Sequence, residues 1–282
     1  MNLISIQSHV VYGHVGNAAA VFALQRLGVE VWPIHTVELS NHPGYGDFSG
    51  RVKDAAAVRE LVDGIAARGA LARCDGIISG YVGAAAIGAE ILAAVGAVKA
   101  ANPASQYCCD PVIGDDDRGI YVRPDVAEFL RQEAVPAADV VTPNAFELGW
   151  LTGRTGATLV QACAAIDALH ARGPRVVLVT SLATAETPPD AIDLVVSDRA
   201  GRFRLRTPRL DHAAHGAGDA IAALFCAHLL RGGSAAAAMA AAASSVFGIL
   251  RRTAQAGARE MLLIEAQDEI VAPSTVFKPE PF

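Results

Sequence analysis

The chain has 282 residues, of which 52% are apolar and 18% are charged, and its formal net charge is −6. The length and the apolar content suit one globular α/β domain spanning residues 1–282. The negative charge and the absence of a basic block exclude a nucleic-acid surface, and the apolar run 235–243 is too short to span a membrane.

The cysteines are odd in number and scattered along the chain. There are five, without metal-type spacing: Cys74, Cys108, Cys109, Cys163 and Cys226. This usage predicts free thiols in a reducing cytoplasm. Residues 1–4 carry no basic leader and no cleavage site, so we expect no signal peptide and a cytoplasmic protein.

The N-terminal part alternates strand and helix patterns. Residues 3–7 predict a buried strand, 17–27 a helix closed by Gly28, and 29–37 a second strand. This spacing indicates a parallel sheet with right-handed crossovers, and ligands collect at the carboxyl ends of its strands. Ser8 follows the first strand and is a candidate site residue, although a cap or turn role would also explain it.

Residues 39–51 interrupt this rhythm with three glycines, a proline and His42. We expect either a small flap over the sheet or a plain surface loop. Helices are then predicted at 55–67 and 84–101, and strands at 76–79 and 107–109.

Acidic residues follow the strand 107–109. Asp110 lies directly at its carboxyl end, and the loop 114–119 carries Asp115, Asp116 and Asp117. Adjacent acids repel one another unless a cation or solvent relieves them. The loop is either a magnesium-nucleotide neighbourhood or a solvated turn, and for Asp116 and Asp117 we favour the solvated turn.

A helix is predicted at 124–132, followed by a strand at 139–141 that leads into Thr142, Asn144 and Glu147. The Asn144 to Glu147 spacing is also that of a capping box, so a purely structural role stays open.

The next patterns predict a helix at 158–171 and a strand at 175–179 that ends at Thr180 and Ser181. Segments 192–196 and 203–205 predict an antiparallel pair at the sheet edge.

The stretch from His215 to Ala220 (HGAGDA) precedes a predicted helix at 217–230. Glycines allow close approach of the backbone to a ligand, and a helix N-terminus presents free N–H groups and a positive dipole end. Asp219 could there accept a proton from a hydroxyl that attacks a phosphate. An ordinary glycine turn is the alternative. Further helices are predicted at 234–250 and near 266–271.

These polar groups converge in the predicted fold. Ser8, Asp110, Thr142, Thr180 and the glycine turn all fall at strand ends or at a helix start. In a parallel sheet these ends share one edge, so the residues are expected to line one cleft.

At this point the sequence resembles the pyridoxal kinases of the ribokinase-like superfamily, from Ser5 to about Pro273. The most specific part is residues 6–17 (IQSHVVYGHVGN), and segments 40–42, 79–81, 110–112, 142–144 and 216–219 also match in order. The resemblance implies a three-layer α/β/α fold with a central, mostly parallel sheet and a flap or lid over the cleft. It implies ATP-dependent phosphorylation of the 5′-hydroxyl of pyridoxal, and of pyridoxamine and pyridoxine.

The resemblance also implies roles for individual residues. Asp219 would be the general base, and the backbone N–H groups of Gly216, Ala217 and Gly218 would form an anion hole. Substrate-binding residues would be Ser8, His42, Pro43, Gly44, Tyr81 and Asp219. ATP-binding residues would be Asp110, Tyr121, Thr142, Asn144, Glu147, Thr180, Ser181, Arg209 and Leu210. Metal-binding residues would be Asp110, Asp115, Thr142 and Glu147, for Mg²⁺ and a monovalent cation such as K⁺. A homodimer is expected.

Five residues depart from the pattern of many or some family members. Ala217 replaces a threonine or valine, so a phosphate contact there must come from the backbone. Ile120 stands where some bacterial relatives have a lid cysteine, which argues against covalent trapping of the aldehyde. Thr180 stands in place of a lysine, and Pro43-Gly44 changes the flap.

The sequence disfavours three other functions. A dinucleotide-binding oxidoreductase needs G-x-G-x-x-G after the first strand, which residues 8–16 lack. A non-catalytic pyridoxal binder is disfavoured by the intact Asp219. A hydroxymethylpyrimidine kinase is disfavoured by residues 8–17.

Overall fold

The computed structural model describes residues 1–211 and 214–282. Its strands are β1 (Asn2–Val10), β2 (Glu30–Leu39), β3 (Gly50–Val52), β4 (Gly76–Ser79), β5 (Gln106–Cys109), β6 (Gly114–Asp115), β7 (Gly119–Ile120), β8 (Val140–Val141), β9 (Val176–Leu182), β10 (Ala191–Asp198), β11 (Gly201–Pro208) and β12 (Glu280–Pro281). Its α-helices are α1 (Asn17–Arg26), α2 (Ala55–Ala66), α3 (Ala85–Ala101), α4 (Pro124–Phe129), α5 (Val135–Ala137), α6 (Ala145–Thr152), α7 (Leu159–His170), α8 (Ala217–Leu230), α9 (Ala235–Gln255) and α10 (Asp268–Val271).

Across the described residues, ten strands form one sheet in the order β12-β11-β10-β9-β8-β5-β4-β1-β2-β3. The strands from β2 to β9 in this order are parallel. The strands outside them pair antiparallel. The predicted parallel sheet and its antiparallel edge pair are therefore confirmed. Strand β12 was not predicted, because two residues carry no periodic pattern.

Helices cover both faces of this sheet. Along β9, Val177 and Val179 face one apolar core and Leu178 faces the other, as the two-residue period of a strand requires. Helices α2, α3, α4, α6 and α7 contribute to the first core, and α1, α8, α9 and α10 to the second. The predicted three-layer α/β/α arrangement is confirmed.

Several predicted boundaries shift. Ser8 lies inside β1, and Thr180 and Ser181 lie inside β9, because backbone pairing continues past the last apolar residue. The predicted loop 114–119 is a hairpin of β6 and β7. Such short strands are held by tertiary contacts rather than by a pattern of their own.

The helix predicted at 124–132 continues to Ala137 through a π-helical turn at Leu130–Ala134. Pro136 has no N–H to donate to the preceding turn, which accounts for a wider turn at this point. The helix predicted at 234–250 likewise extends to Gln255. Within the described ranges, no helix combines the length and the apolar character needed to cross a membrane.

The cysteine prediction was wrong for one pair. A disulfide joins Cys108 on β5 to Cys226 on α8, whereas Cys74, Cys109 and Cys163 are free. The two paired cysteines are 118 residues apart in sequence and meet because α8 packs on the face of the sheet to which Cys108 points. Cysteine spacing carries no sign of this contact.

Alkylation of the unreduced protein tests this pairing. After unfolding without reductant, we expect three cysteines to react, and five after reduction. In the folded protein Cys163 should react first, because Cys74 and Cys109 are buried. Mass spectrometry of the labelled peptides identifies each site. Labelling of Cys108 and Cys226 before reduction would contradict the disulfide.

Candidate active site

The N-terminus of α8 forms the glycine turn that the sequence predicted. Gly216 caps the helix with φ of +91°, and a side chain there would overlap the carbonyl oxygen of His14. Only glycine tolerates both the backbone angle and this approach. The first N–H groups of a helix have no partner within it and lie at its positive end, so residues 216–218 can bind an anion.

Asp219 lies in the first turn of α8 and is partly exposed. The backbone amide of Gly16 is close enough to its carboxylate to favour the ionised form. Burial among the surrounding groups raises the pKa of Asp219 to about 6, although the backbone amide of Gly16 opposes this shift. At neutral pH the side chain is therefore ionised and is a stronger base than an exposed aspartate.

Ser8 is brought to Asp219 by the same glycine. The Ser8 side chain is near the end of β1 and only 8% exposed. Gly16 has φ of +59°, and a Cβ at this position would lie 2.6 Å from Ser8 Oγ. Gly16 thus contacts Ser8 on one side, and its backbone amide acts on the Asp219 carboxylate on the other.

A buried polar network supports this loop from below. The Ser5 hydroxyl donates to Asn17 Oδ1 at 2.7 Å, and Asn17 Nδ2 donates to the carbonyl of Ile34 at 3.1 Å. These bonds join α1 to β1 and β2. They hold the start of α1, and with it Gly16, at a set distance from the sheet.

Tyr81 follows β4 beside this network. Its backbone carbonyl accepts a hydrogen bond from Thr36 Oγ1 at 2.7 Å, and its ring packs on the apolar core. Burial raises the pKa of Tyr81. Gly80 before it lies against the Gln7 side chain, where a larger residue would collide.

Residues 41–49, between β2 and β3, form the predicted flap, with a 3₁₀ turn at Pro43–Tyr45. The His42 ring stacks on His215, with 3.8 Å between ring centroids. Burial, followed by the nearby charges of His215 and Arg118, lowers the pKa of His42 to about 4. Burial also lowers the pKa of His215. Both rings are neutral at pH 7.

The unusual flap sequence has a steric reason. A Cβ at Gly44 would lie 2.7 Å from His215 Nε2, so a larger residue would displace the stacked histidine. Pro43, the first residue of the 3₁₀ turn, fixes the backbone angle φ at the start of that turn. Glycine at position 44 therefore leaves room for the ring of His215, the residue directly before the glycine turn.

A cluster of carboxylates lies at the ends of β5 and β8. Thr142 Oγ1 donates to Asp110 Oδ1 at 2.9 Å. Burial raises the pKa of Asp110 well above its ordinary value, and the charges of Glu147 and Asp219 raise it further. Burial likewise raises the pKa of Glu147 to about 7. Their mutual repulsion makes this edge of the sheet favourable for a cation.

Asn144 and Glu147 form the capping box that the spacing allowed. The Glu147 N–H donates to Asn144 Oδ1 at 2.8 Å, and the Asn144 N–H donates to Glu147 Oε2 at 2.9 Å. Glu147 Oε1 also accepts from the N–H of Ile113 at 2.9 Å. The capping role is therefore real, and the same bonds aim the carboxylate toward the acidic cluster.

The β6–β7 hairpin places Asp115 and Tyr121 near this cluster. Asp115 accepts two hydrogen bonds from the Arg118 guanidinium, which lower the pKa of its carboxyl. Arg118 also lies 5.2 Å from the Tyr121 ring centroid. Burial and the charge of Glu147 raise the pKa of Tyr121. Ile120, at the lid position, is 46% exposed.

The remaining candidates lie further along the sheet. Thr180 bridges to Asn144, and its N–H donates to the carbonyl of Pro143 at 3.0 Å. Ser181 is exposed and has φ of +52°. Arg209 and Leu210 follow β11, just before the two residues that lie outside the described chain.

Among the described residues, no three His, Cys, Asp or Glu side chains are arranged to hold a metal by themselves. Mg²⁺ in phosphoryl-transfer sites usually keeps several waters and binds one or two carboxylates together with phosphate oxygens. Asp110 and Glu147 can supply these one or two carboxylates.

Sequence reasoning missed three residues that the structure brings to the site: Gly16, Arg118 and His215. Gly16 lies in the segment 6–17 that carries the resemblance, but the sequence assigned it no role at the site. His215 stood next to the glycine turn, and this adjacency was the one signal available for it. No sequence pattern indicated that Arg118 lies at the site, because the β6–β7 hairpin sets its position.

We expect Gly216→Ala to lower the phosphoryl-transfer rate by at least about a hundredfold. The added methyl group would displace the loop at His14 or rotate the first turn of α8. Gly96→Ala is the matched control, since Gly96 lies in α3 with open space around its Cβ position. Steady-state kinetics and thermal unfolding of both variants check this. Equal activities of the two variants would contradict the steric account.

Comparison with known proteins gives a consistent picture. The family model described as phosphomethylpyrimidine kinase matches residues 77–263. The pyridoxal kinase PdxY of Granulibacter bethesdensis is 54% identical, with 98% of each chain covered. PdxY of Deinococcus radiodurans is 49% identical, covering 99% of this chain and 96% of its own.

Solved structures agree with these relatives. Pyridoxal kinase from Leishmania donovani in complex with ADP and pyridoxamine is 30% identical, covers 99% of both chains and superposes with a TM-score of 0.91. The same enzyme in complex with ADP alone gives a TM-score of 0.93. The full-length matches include residues 8–17, which the family model leaves out. The chain therefore belongs to the pyridoxal kinase family.

Proposed function

We propose that this chain transfers the γ-phosphoryl group of ATP to the 5′-hydroxyl of pyridoxal, with Asp219 as the general base. One observation carries the proposal: the Asp219 carboxylate lies in the first turn of α8, where the backbone amide of Gly16 favours its ionised form, in a chain of the pyridoxal kinase family. Residues 1–282 would form one kinase domain, which the continuous sheet supports.

Asp219 would remove the proton from the 5′-hydroxyl as it attacks the phosphorus atom. Its raised pKa makes it a better proton acceptor while it stays ionised at neutral pH. The backbone N–H groups of Gly216, Ala217 and Gly218 would stabilise the charge that develops on the transferred group. Ala217 has no hydroxyl, so this stabilisation would come from the backbone alone.

Pyridoxal would lie between β1 and the flap. Ser8 would donate or accept a hydrogen bond at the ring, with Tyr81 beside it. The neutral His42, with Pro43 and Gly44, would cover the ring from the flap side. The closeness of Ser8 to Gly16 and of Gly16 to Asp219 supports this placement.

ATP would extend along the strand ends away from α8. Thr180, Ser181, Arg209 and Leu210 would line the nucleotide, with Asn144 near its phosphates and Tyr121 over them. Asp110 and Glu147 would hold Mg²⁺ together with phosphate oxygens, and the metal would neutralise charge on the phosphates. The high pKa values of both acids support a cation there.

Two cation assignments stay predictions. Asp115 is already paired with Arg118, so a metal role would require that pair to open. Thr142 donates its hydroxyl to Asp110, and binding of a monovalent cation such as K⁺ would use its oxygen instead.

The proposed activity extends to two related vitamers. The Leishmania donovani enzyme has been solved with ADP and pyridoxamine, and with ADP and pyridoxine. At 30% identity, these complexes support a proposal that this chain also phosphorylates pyridoxamine and pyridoxine.

A homodimer and a cytoplasmic location stay predictions. The exposed apolar side chains Val11, Phe48 and Val52 lie on and beside the β2–β3 edge and support an association of two copies there.

The proposed function is tested by ADP release with MgATP and each of pyridoxal, pyridoxamine, pyridoxine and hydroxymethylpyrimidine. Asp219→Asn should lower release with pyridoxal at least about a hundredfold, because it keeps the shape and removes the base.

The Asp219→Asn variant should also unfold at an equal or higher temperature than the parent at pH 8. Since burial raises the pKa of Asp219, the ionised carboxylate destabilises the folded chain above pH 6, and asparagine lacks that charge.

The alternatives give other results. Pyridoxal binding without ADP release from any of the four compounds would favour a non-catalytic binder. Release with hydroxymethylpyrimidine alone would favour the pyrimidine kinase.

The pH profile gives an independent check. The kcat/KM for pyridoxal at saturating MgATP should fall about tenfold per pH unit below about pH 6, because Asp219 must be ionised to act. His42 has a pKa of about 4 and titrates below this window. A profile that stays flat down to pH 5 would remove Asp219 from the role of base.

A further inference from the structure

The flap is tied to a distant segment that the proposed mechanism does not use. Tyr45, in the 3₁₀ turn of the flap, donates its hydroxyl to Glu260 Oε1 at 2.5 Å. Glu260 follows α9 and is 215 residues away in sequence. This hydrogen bond raises the pKa of Tyr45 to about 12, so the hydroxyl stays a donor over the working range of pH.

Arg259 adds two contacts to the same turn. Its guanidinium lies 3.6 Å from the Tyr45 ring centroid, a cation–π geometry, and its Nη2 donates to the carbonyl of Gly44 at 3.1 Å. Two consecutive residues of one segment therefore hold both the backbone and the side chain of the flap.

The Glu260 carboxylate leaves no space for a side chain in the loop after β1. Gly13 has φ of +95°, and any side chain there would overlap the Glu260 carboxylate. Among the described residues, Glu260 Oε2 is buried without a hydrogen-bond partner. A buried carboxylate with one unsatisfied oxygen is unfavourable unless its remaining contacts compensate, and Tyr45 is the hydrogen-bond donor that the structure provides.

The flap is internally braced, so fixing its tip fixes His42. Asn41 Nδ2 donates to the carbonyl of Asp47 at 2.8 Å, and the Gly44 N–H donates to His42 Nδ1 at 3.0 Å. A displacement of Tyr45 or Gly44 would therefore also move the His42 ring, which stacks on His215.

We propose that Glu260 and Arg259 are positioning residues that hold the flap closed, with His42 on His215, and thereby set the affinity for pyridoxal. This inference rests on the proposed function. An enzyme whose flap is closed only part of the time binds its substrate more weakly by that fraction. Loss of the latch, defined as the Tyr45, Arg259 and Glu260 contacts, should therefore raise the KM for pyridoxal and leave the chemical step intact.

The test uses Tyr45→Phe, Glu260→Ala, Glu260→Gln and the double variant Tyr45→Phe/Glu260→Ala. We expect Tyr45→Phe and Glu260→Ala each to raise the KM for pyridoxal about tenfold, with kcat and the KM for ATP changed less than twofold. The double variant should match the single ones, since both remove the same bond. Glu260→Gln keeps an acceptor for Tyr45 and should stay within about threefold of the parent.

Tyr12→Phe is the matched control. Tyr12 contacts Tyr45 edge-on at 6.0 Å, and in the described chain its hydroxyl has no hydrogen bond. Thermal unfolding of every variant separates loss of the latch from loss of the fold.

Hydrogen exchange supplies a readout that does not depend on activity. Amides of residues 41–49 should exchange at least about tenfold faster in Tyr45→Phe and Glu260→Ala than in the parent or in Tyr12→Phe. Unchanged exchange in both variants, or effects on the KM for pyridoxal that multiply in the double variant, would overturn the inference. A parent chain that releases no ADP with pyridoxal would instead overturn the proposed function, while exchange would still report on the latch.

Discussion

The site depends on the packing of the loop after β1 against the N-terminus of α8. Gly216 approaches the carbonyl of His14, and the backbone amide of Gly16 acts on the Asp219 carboxylate. Both contacts require glycine, because a Cβ at either position would collide with neighbouring backbone. Since Ser8 lies against Gly16, this packing also sets the distance between the substrate-binding strand and the proposed base.

Electrostatics divides the cleft into two regions. On the α8 side, a helix N-terminus and two neutral histidines face the position proposed for the acceptor hydroxyl. On the β5–β8 side, burial raises the pKa of both Asp110 and Glu147, and the charge of Glu147 raises that of Asp110 further. Repulsion between these carboxylates destabilises this edge of the sheet when no cation is bound. Binding of the metal-nucleotide complex would relieve that repulsion.

Prediction from sequence succeeded where consecutive residues carry the information. The start of α8 at Ala217 and the strand Gly76–Ser79 were predicted to the residue, because a glycine turn and a short apolar run between breakers are local signals. The Asn144–Glu147 spacing left two interpretations, and the structure satisfies the capping one while also placing Glu147 near Asp110. The prediction of free thiols failed for Cys108 and Cys226, because their contact follows from how α8 packs on the sheet.

The sequence by itself determined the family, the alternation of the main strands and helices, and the polar residues at or near the strand ends, because periodicity and short motifs act over neighbouring positions. Only the tertiary structure decided that Gly16 touches Asp219, that His215 stacks on His42 and that Glu260 holds the flap. Each of these contacts joins segments far apart in the chain. Their geometry is set by the sheet order and by the close packing of side chains from different layers, which no local pattern encodes.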